Sequence, residues 1–294
     1  MNFVLLTLVT LLQTVPQTAP ATLADDVAGL AASTTNEARF DALTALLRAR
    51  NLAFTVEPFT IEKPLRGEPR TAGRNIVLTL GAGAEEIVVG AHYDAVRLPD
   101  GSLSKGAVDN AASSVILVRL AEAIKAEPLP VRVRIVWFDM EELGLLGSAE
   151  YVKAHASDRV TAMLNFDINA YGNTILFGPS ERPDNAALRR AFVQTCAAED
   201  AACIGLPQMP PGDDRSFINA GIPAISIAMI GAVEAHQVWL MMNAGKETGL
   251  AEGMVPGILR TIHTAADTPD KADEPRMAAM LHFALTLVRS VTRR

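Results

Sequence analysis

The sequence predicts an α/β domain in which a single sheet is covered by helices on both faces. Two observations carry this. Short apolar runs that read as strands alternate with helical patterns, and neither a linker nor a repeat divides the 294 residues. Moreover, Glu86–Ala91 and much of Gly221–Met229 are continuously apolar, as strands buried on both faces are.

The elements follow in order. Residues Met1–Ala24 carry no charged side chain, and Phe3–Leu12 is apolar but too short to span a bilayer. Ala19-Pro20-Ala21 has the small-x-small form of a processing site, with Ala24 a second possible end. We therefore expect a signal peptide over 1–24, a mature domain over 25–294, and a secreted or periplasmic protein. A buried N-terminal helix is the alternative, since no Lys or Arg opens the segment.

Helical spacing appears first over Thr35–Arg50, where Phe40, Leu43, Leu46 and Leu47 share a side. Strands are expected at Leu52–Phe59 and Asn75–Leu80 around a Pro/Arg-rich connection, Pro64–Arg74, and then at Glu86–Ala91. After a turn-rich loop over Arg97–Gly106, Asp109 or Asn110 is placed to cap a helix reaching Ala126. Val131–Phe138 alternates, with Val131, Val133, Ile135 and Trp137 on one face, and ends abruptly in Asp139-Met140-Glu141-Glu142. A helix from about Leu145 to His155 follows, then strands at Ala162–Phe166 and Asn173–Phe177, and a helix over Asn185–Ala198. Pro207–Gly212 reads as loop, and Gly221–Met229 as a turn and buried strand. Glycines at 245, 249, 253 and 257 mark a mobile or tightly packed loop, and Met277–Val291 is a closing amphipathic helix.

Composition excludes some functions. Net charge is −7, aromatic content is 5%, and there is no basic run, which argues against nucleic-acid binding. Beyond the first residues no stretch has transmembrane length, so stable membrane insertion is not expected. The two cysteines, Cys196 and Cys203, suit a disulfide clip in an exported protein and buried thiols in a cytosolic one. Nothing in the sequence sets an oligomeric state.

The chemistry gathers at strand ends. His92 with Asp94, Asp109, Glu141 with Glu142, and Asp167 each lie at the end of a buried strand or the start of a helix, and His263 joins them late in the chain. In open α/β sheets the carboxyl edge of the strands is where ligands bind. Acids brought together there repel one another unless a cation intervenes, and imidazole with carboxylate suits zinc, with manganese or cobalt possible. Two divalent ions and a bridging hydroxide would balance the charges of Asp109, Glu142 and Asp167. Glu141 would then be free to act as general base, and Asp94, on the same side of an extended segment as His92, could hold the ring's second nitrogen.

GAHYDAV, VDNAASS, EELGLLGS, NFDINAYG, GDDRSF with INAGIPA, and HTAADT, in this order, resemble the two-zinc aminopeptidases of the bacterial leucyl aminopeptidase and aminopeptidase Y type. The likeness runs from about Asn75 to the C-terminal helix. It implies a three-layer sandwich around a mixed, mostly parallel sheet, and removal of N-terminal residues from peptides. It also implies His92 and Asp167 on one zinc, Glu142 and His263 on the other, Asp109 bridging, Glu141 as base and Asp94 as orienting acid. The family's usual histidine before the GIPA strand is replaced by Asp214. We expect Asp214, with Asp213, to supply negative potential for a substrate ammonium, or else Asp213 to cap a turn while Asp214 meets water. A glutaminyl cyclase-like enzyme and a carboxypeptidase, with Arg215 anchoring a carboxylate, are the alternatives on the same fold. His155, His236 and His282 read as structural, and Trp239, Met241 and Met242 as core.

Overall fold

The computed structural model describes residues 21–63, 70–245, 248, 249 and 254–292. All but the last four residues of the expected signal peptide lie outside the described residues, as do 64–69 of the expected connection and Gly253 of the glycine run.

Strands β1 (Thr55–Thr60), β2 (Ala72–Leu80), β3 (Glu86–His92), β4 (Arg132–Phe138), β5 (Val160–Phe166), β6 (Thr174–Gly178), β7 (Ala202–Gly205) and β8 (Ala224–Ile230) form one sheet. Its order is β1-β2-β4-β3-β5-β8-β6-β7. The four central strands, β4-β3-β5-β8, are mutually parallel, and β2 and β6 flank them antiparallel. The mixed, mostly parallel sheet is therefore present.

Period-two alternation sorts the strand side chains into two cores. Val133, Ile135 and Trp137 of β4 enter the larger core, beneath α1 (Leu23–Ala31), α2 (Asn36–Ala49), α3 (Ala112–Ala126), α5 (Ala186–Ala198) and α8 (Glu274–Thr292). Val136 and Phe138 enter the smaller one, with Tyr151 of α4 (Leu146–Ala154) and Phe217 of α6 (Asp214–Asn219). The chain between β8 and α8 adds α7 (Ala232–Asn243) at the edge near β6. Gly147 lets α4 start hard against the end of β4, where a Cβ would collide with the Asp139 carbonyl.

Four expectations need correction. The helix placed at Asp109 or Asn110 starts at Ala112, because both residues have non-helical backbones and neither caps it. β2 begins at Ala72, inside the expected connection, since pairing with β1 extends it. β7 and α6 were not foreseen: at four and six residues they are too short to show a period. Nor was α1, whose Thr22 accepts from Asp25 N while Asp25 reciprocates to Thr22 N. The expected boundary at Ala24 falls inside this helix.

Cys196, near the end of α5, is joined to Cys203 in β7, with Cα atoms 6.3 Å apart. An ionic cluster ties β3, β4 and α4: Arg134 lies 3.1 Å from Glu86 and 2.7 Å from Asp158, and donates to Tyr151 Oη. Glu86 is only 2% exposed, and burial pushes its carboxyl up despite the opposing pull of Arg134 and Arg132. Arg134→Ala removes the nearer cation from this buried acid. The expected cost is about 3 kcal/mol or more in urea denaturation; a loss within about 0.5 kcal/mol, usual for a surface change, would show that the cluster does not support the fold.

Candidate metal centre

Three adjacent parallel strands deliver their acids to one edge. β3 ends in His92, with Asp94 two residues on; its neighbour β4 runs into Asp139–Glu142; its other neighbour β5 runs into Asp167. Asp109 comes from the turn before α3, and His263 from the loop before α8. Gly106 makes the Asp109 turn possible: its φ is 51°, and a Cβ there would lie 2.6 Å from Asp109 O. The Asp109–Asn110 peptide is cis.

The side chains meet in two groups that share Asp109. His92 Nε2 lies 3.1 Å from Asp109 Oδ1 and 3.5 Å from Asp167 Oδ1. His263 Nε2 lies 3.0 Å from Asp109 Oδ2 and 3.1 Å from Glu142 Oε2. Within each group the candidate ligand atoms lie within 4.8 Å of one another. Each group is one imidazole and two carboxylates, a donor set that fits a zinc-class divalent cation. Glu141 belongs to neither group; its Oε2 stands 4.0 Å from His92 Nε2.

Supporting residues fix this arrangement. Asp94 Oδ1 lies 3.4 Å from His92 Nδ1, and the Asp94 carboxylate also accepts from the backbone N–H groups of Glu141 and Glu142. The carboxylate thus holds the paired glutamates, and together with Asp94 O, 3.2 Å from His92 Nδ1, it orients the ring. Asp267 does the same for the shared ligand, accepting from Val108 N at 2.6 Å and Asp109 N at 3.1 Å. The fully buried Arg39 of α2 donates to the carbonyls of Tyr93, Lys105 and Gly106, joining the end of β3 to the Asp109 turn. Asn110 bridges that turn to β5 through Phe166 O and Ile168 N. Met140, Ile168 and His263, beside or on the ligands, are non-glycine residues in the left-handed region, at φ of 55°, 62° and 57°.

Asp267 and Arg39 were not singled out from sequence. Arg39 had a signal: Asn36, Arg39, Phe40, Leu43 and Leu47 recur at helical spacing, which puts a guanidinium on the buried stripe. Asp267 had none beyond its place in the HTAADT motif.

Electrostatics reflect the crowding. Burial acts to lower the His92 imidazole, but Glu141, Asp109, Asp167 and Asp94 together hold it well above its ordinary range. Hydrogen bonds to Asp109 and Glu142 push His263 up to about 11. Burial opposes ionisation of Asp109, yet its bonds to the two histidines hold it low. Glu141 is driven well above the carboxylate range by burial, with Asp213, Asp167 and Glu142 adding to it against His92. Glu142 rises to about 7, with burial first and Asp109 next.

Asp213 and Asp214 stand at the start of α6, and both are buried. Asp213 makes no capping bond and Asp214 does not face water, so neither role in the loop alternative holds. Burial raises them to about 7 and about 8, and Asp167 repels both. Asp214 Oδ1 and Asp167 Oδ2 lie 3.4 and 3.7 Å from where a Cβ on Gly212 would sit, so both acids border the same loop glycine.

Two cavities adjoin the ligands. One, of about 90 Å³, is apolar and runs from Asp167 past Leu176, Met209, Val238 and Met241 to Ile258 and Ile262. Met241 is therefore cavity wall rather than core, while Trp239 and Met242 pack against the core. The other, of about 130 Å³, is polar and includes Glu142 and His263. Arg215 is exposed and lines neither cavity. His155 pairs with Glu57 and Asp158, His282 with Glu199, and His236 with Ala232 O, all outside the two ligand groups.

Residues 75–288 match the model of peptidase family M28. A probable leucine aminopeptidase of Arthroderma benhamiae is 33% identical over 172 residues, 52% of this chain and 45% of that protein. The chain spans less than half the length of the curated relatives it matches. Among solved structures, the LapA aminopeptidase of Legionella pneumophila superposes with a TM-score of 0.68 at 18% identity, covering 93% of this chain and 72% of that one. A glutaminyl cyclase of Porphyromonas gingivalis gives 0.68 at 20% identity, covering 92% and 96%. At these identities the superpositions establish the fold.

Asp267→Asn replaces one of two carboxylate acceptors with an NH2 donor facing a backbone N–H. The buried donor left unsatisfied should cost about 1–3 kcal/mol of stability in urea denaturation. An unaltered midpoint would show that Asp267 does not hold the Asp109 turn.

Proposed function

The chain belongs to peptidase family M28, and on that premise we propose that it is an aminopeptidase that binds two zinc ions and acts on peptides. The observation that carries the reading is the Asp109 carboxylate, which offers one oxygen to each ligand group. His92 and Asp167 would hold one ion and Glu142 and His263 the other, and Mn2+ or Co2+ suit the same donors. When bound, such ions polarise the scissile carbonyl and acidify water at the site.

The chain's own groups supply the rest. Glu141, which belongs to neither ligand group and stands 4.0 Å from His92, would take the proton of the attacking water and pass it to the leaving amine. Asp94 fixes the backbone from which Glu141 projects. A free α-ammonium placed beside two cations is repelled by them, and the buried carboxyls of Asp213 and Asp214, whose ionised form those cations would favour, would offset that repulsion. The apolar cavity beside Asp167 fits an aliphatic N-terminal side chain, in keeping with relatives named leucine aminopeptidases.

Metal analysis should find two ions per chain in the wild type and loss of both in Asp109→Ala. Glu141→Gln should keep both while kcat falls by about 10²–10⁴-fold, and N-acetylated peptides should be poor substrates. One ion per fully loaded chain, with cyclisation of N-terminal glutamine, would point instead to a glutaminyl cyclase. Equal cleavage of acetylated peptides would point to a carboxypeptidase.

Export is proposed on the same footing, with cleavage after Ala21. That cut keeps the Thr22 cap, the buried Leu23, and the bond from Ala24 N to Glu274 at 2.7 Å; a cut after Ala24 removes all three. The disulfide suits an oxidising compartment. N-terminal sequencing of natively expressed protein should begin at Thr22, and the unreduced, denatured protein should titrate no free thiol. A start at Met1 or Asn2 would refute export.

A further inference from the structure

Resting on the two-ion reading, we infer that Arg39 is a positioning residue for the metal centre: it fixes the Asp109 turn, and through the shared carboxylate it sets the affinity for both ions. Its bonds go to backbone carbonyls rather than to a ligand side chain. Nε, Nη1 and Nη2 donate to Tyr93 O at 2.5 Å, Lys105 O at 2.8 Å and Gly106 O at 2.6 Å. Tyr93 stands between His92 and Asp94, and Gly106 opens the turn that presents Asp109. One guanidinium therefore sets the spacing between the segment that carries the first imidazole and the turn that carries the bridging carboxylate.

The turn is shaped to receive it. A Cβ at position 106 would lie 3.1 Å from Arg39 Nη2 as well as 2.6 Å from Asp109 O, so the glycine admits the guanidinium as well as the bend. Other protein groups complete the hold. Asp267 takes Val108 N and Asp109 N, Asn110 reaches Phe166 O and Ile168 N, and Gly106 O accepts also from Ala111 N at 3.0 Å. These bonds engage backbone and leave the two Asp109 carboxylate oxygens to His92 and His263. Arg39 roots the turn in the larger core, where Phe40, Leu43 and Leu47 of the same helix are buried.

Charge adds to the fork. Burial pulls the guanidinium down from its ordinary range, and Asp94, Asp267, Asp109 and Glu142 act against that, in that order. All four acids belong to the metal centre or its supports, so a fixed cation faces the crowded carboxylates from the helix side. Lysine would keep the charge but not the planar fork that spans two segments, and methionine would fill the volume with neither.

Zinc affinity, read by competition with a chelator on folded protein, tests this apart from activity. Arg39→Lys should bind both ions more weakly, by about 10–100-fold, and Arg39→Met should lose more, since it lacks the charge as well. Amide exchange of Val108 and Asp109 should quicken in both variants while Val88 and Val89 of β3 stay protected. A residue that merely fills the core would lower the melting temperature and leave the zinc affinity of the folded protein unchanged; that result, or weakening of one ion alone, overturns the inference. Should neither variant fold, the wild type decides. Stripping its zinc should leave Val108 and Asp109 as slow to exchange, relative to Val88 and Val89, as in the loaded protein; loss of their protection would show that the ions fix the turn, and the inference falls. A loaded wild type holding fewer than two ions removes the two-ion reading instead, and the exchange rates then still judge Arg39's hold on the turn.

Discussion

The architecture turns on the electrostatic cost of bringing buried carboxylates together. Asp94, Asp109, Glu142, Asp213, Asp214 and Asp267 are all buried around one sheet edge, with Glu141 and Asp167 among them. Isolated buried carboxylates would be neutralised by protonation. Here Asp109 and Glu142 each meet an imidazole, and Asp94 and Asp267 accept from backbone N–H groups. The order is hierarchical: Asp94 and Asp267 hold backbone, and that backbone aims Glu141, Glu142 and Asp109. Divalent cations of the zinc class would complete the compensation, and the donor set is suited to them.

Helix α2 serves the site from beneath. Its apolar stripe packs into the larger core, yet Asn36 and Arg39 on the same stripe reach up to the loops that follow β3. Placing an arginine at a fully buried position is costly, and three backbone carbonyls offset that cost here. One helix therefore couples core packing to the positions of His92, Asp94 and Asp109. The two cavities beside the ligands differ, apolar where Asp167 lies and polar where Glu142 and His263 lie.

Much of this was legible in the sequence. Buried strands announce themselves by continuous apolar runs, and the alternation in β4 assigned Val133, Ile135 and Trp137 to one face, as found. His92, Asp94, Asp109, Glu141, Glu142, Asp167 and His263 were each marked by standing at a strand end, a helix start or a family motif. What escaped were elements too short to carry a period, β7 and α6, and the cap-driven α1.

The sequence by itself determined which strands are buried, which residue types stand at their ends, and that those acids need positive charge. Those properties are local: they depend on the period of side chains along one element and on ionisation chemistry. Only the tertiary structure decided that Asp109 turns away from capping α3 to place one oxygen before each histidine, that Asp267 and Arg39 hold it there, and that Asp214 is buried rather than solvated. These outcomes rest on contacts between residues far apart in the chain. Asp267 meets Asp109 across 158 positions, and no local pattern encodes which of several acids will accept a given backbone N–H until the strands are side by side.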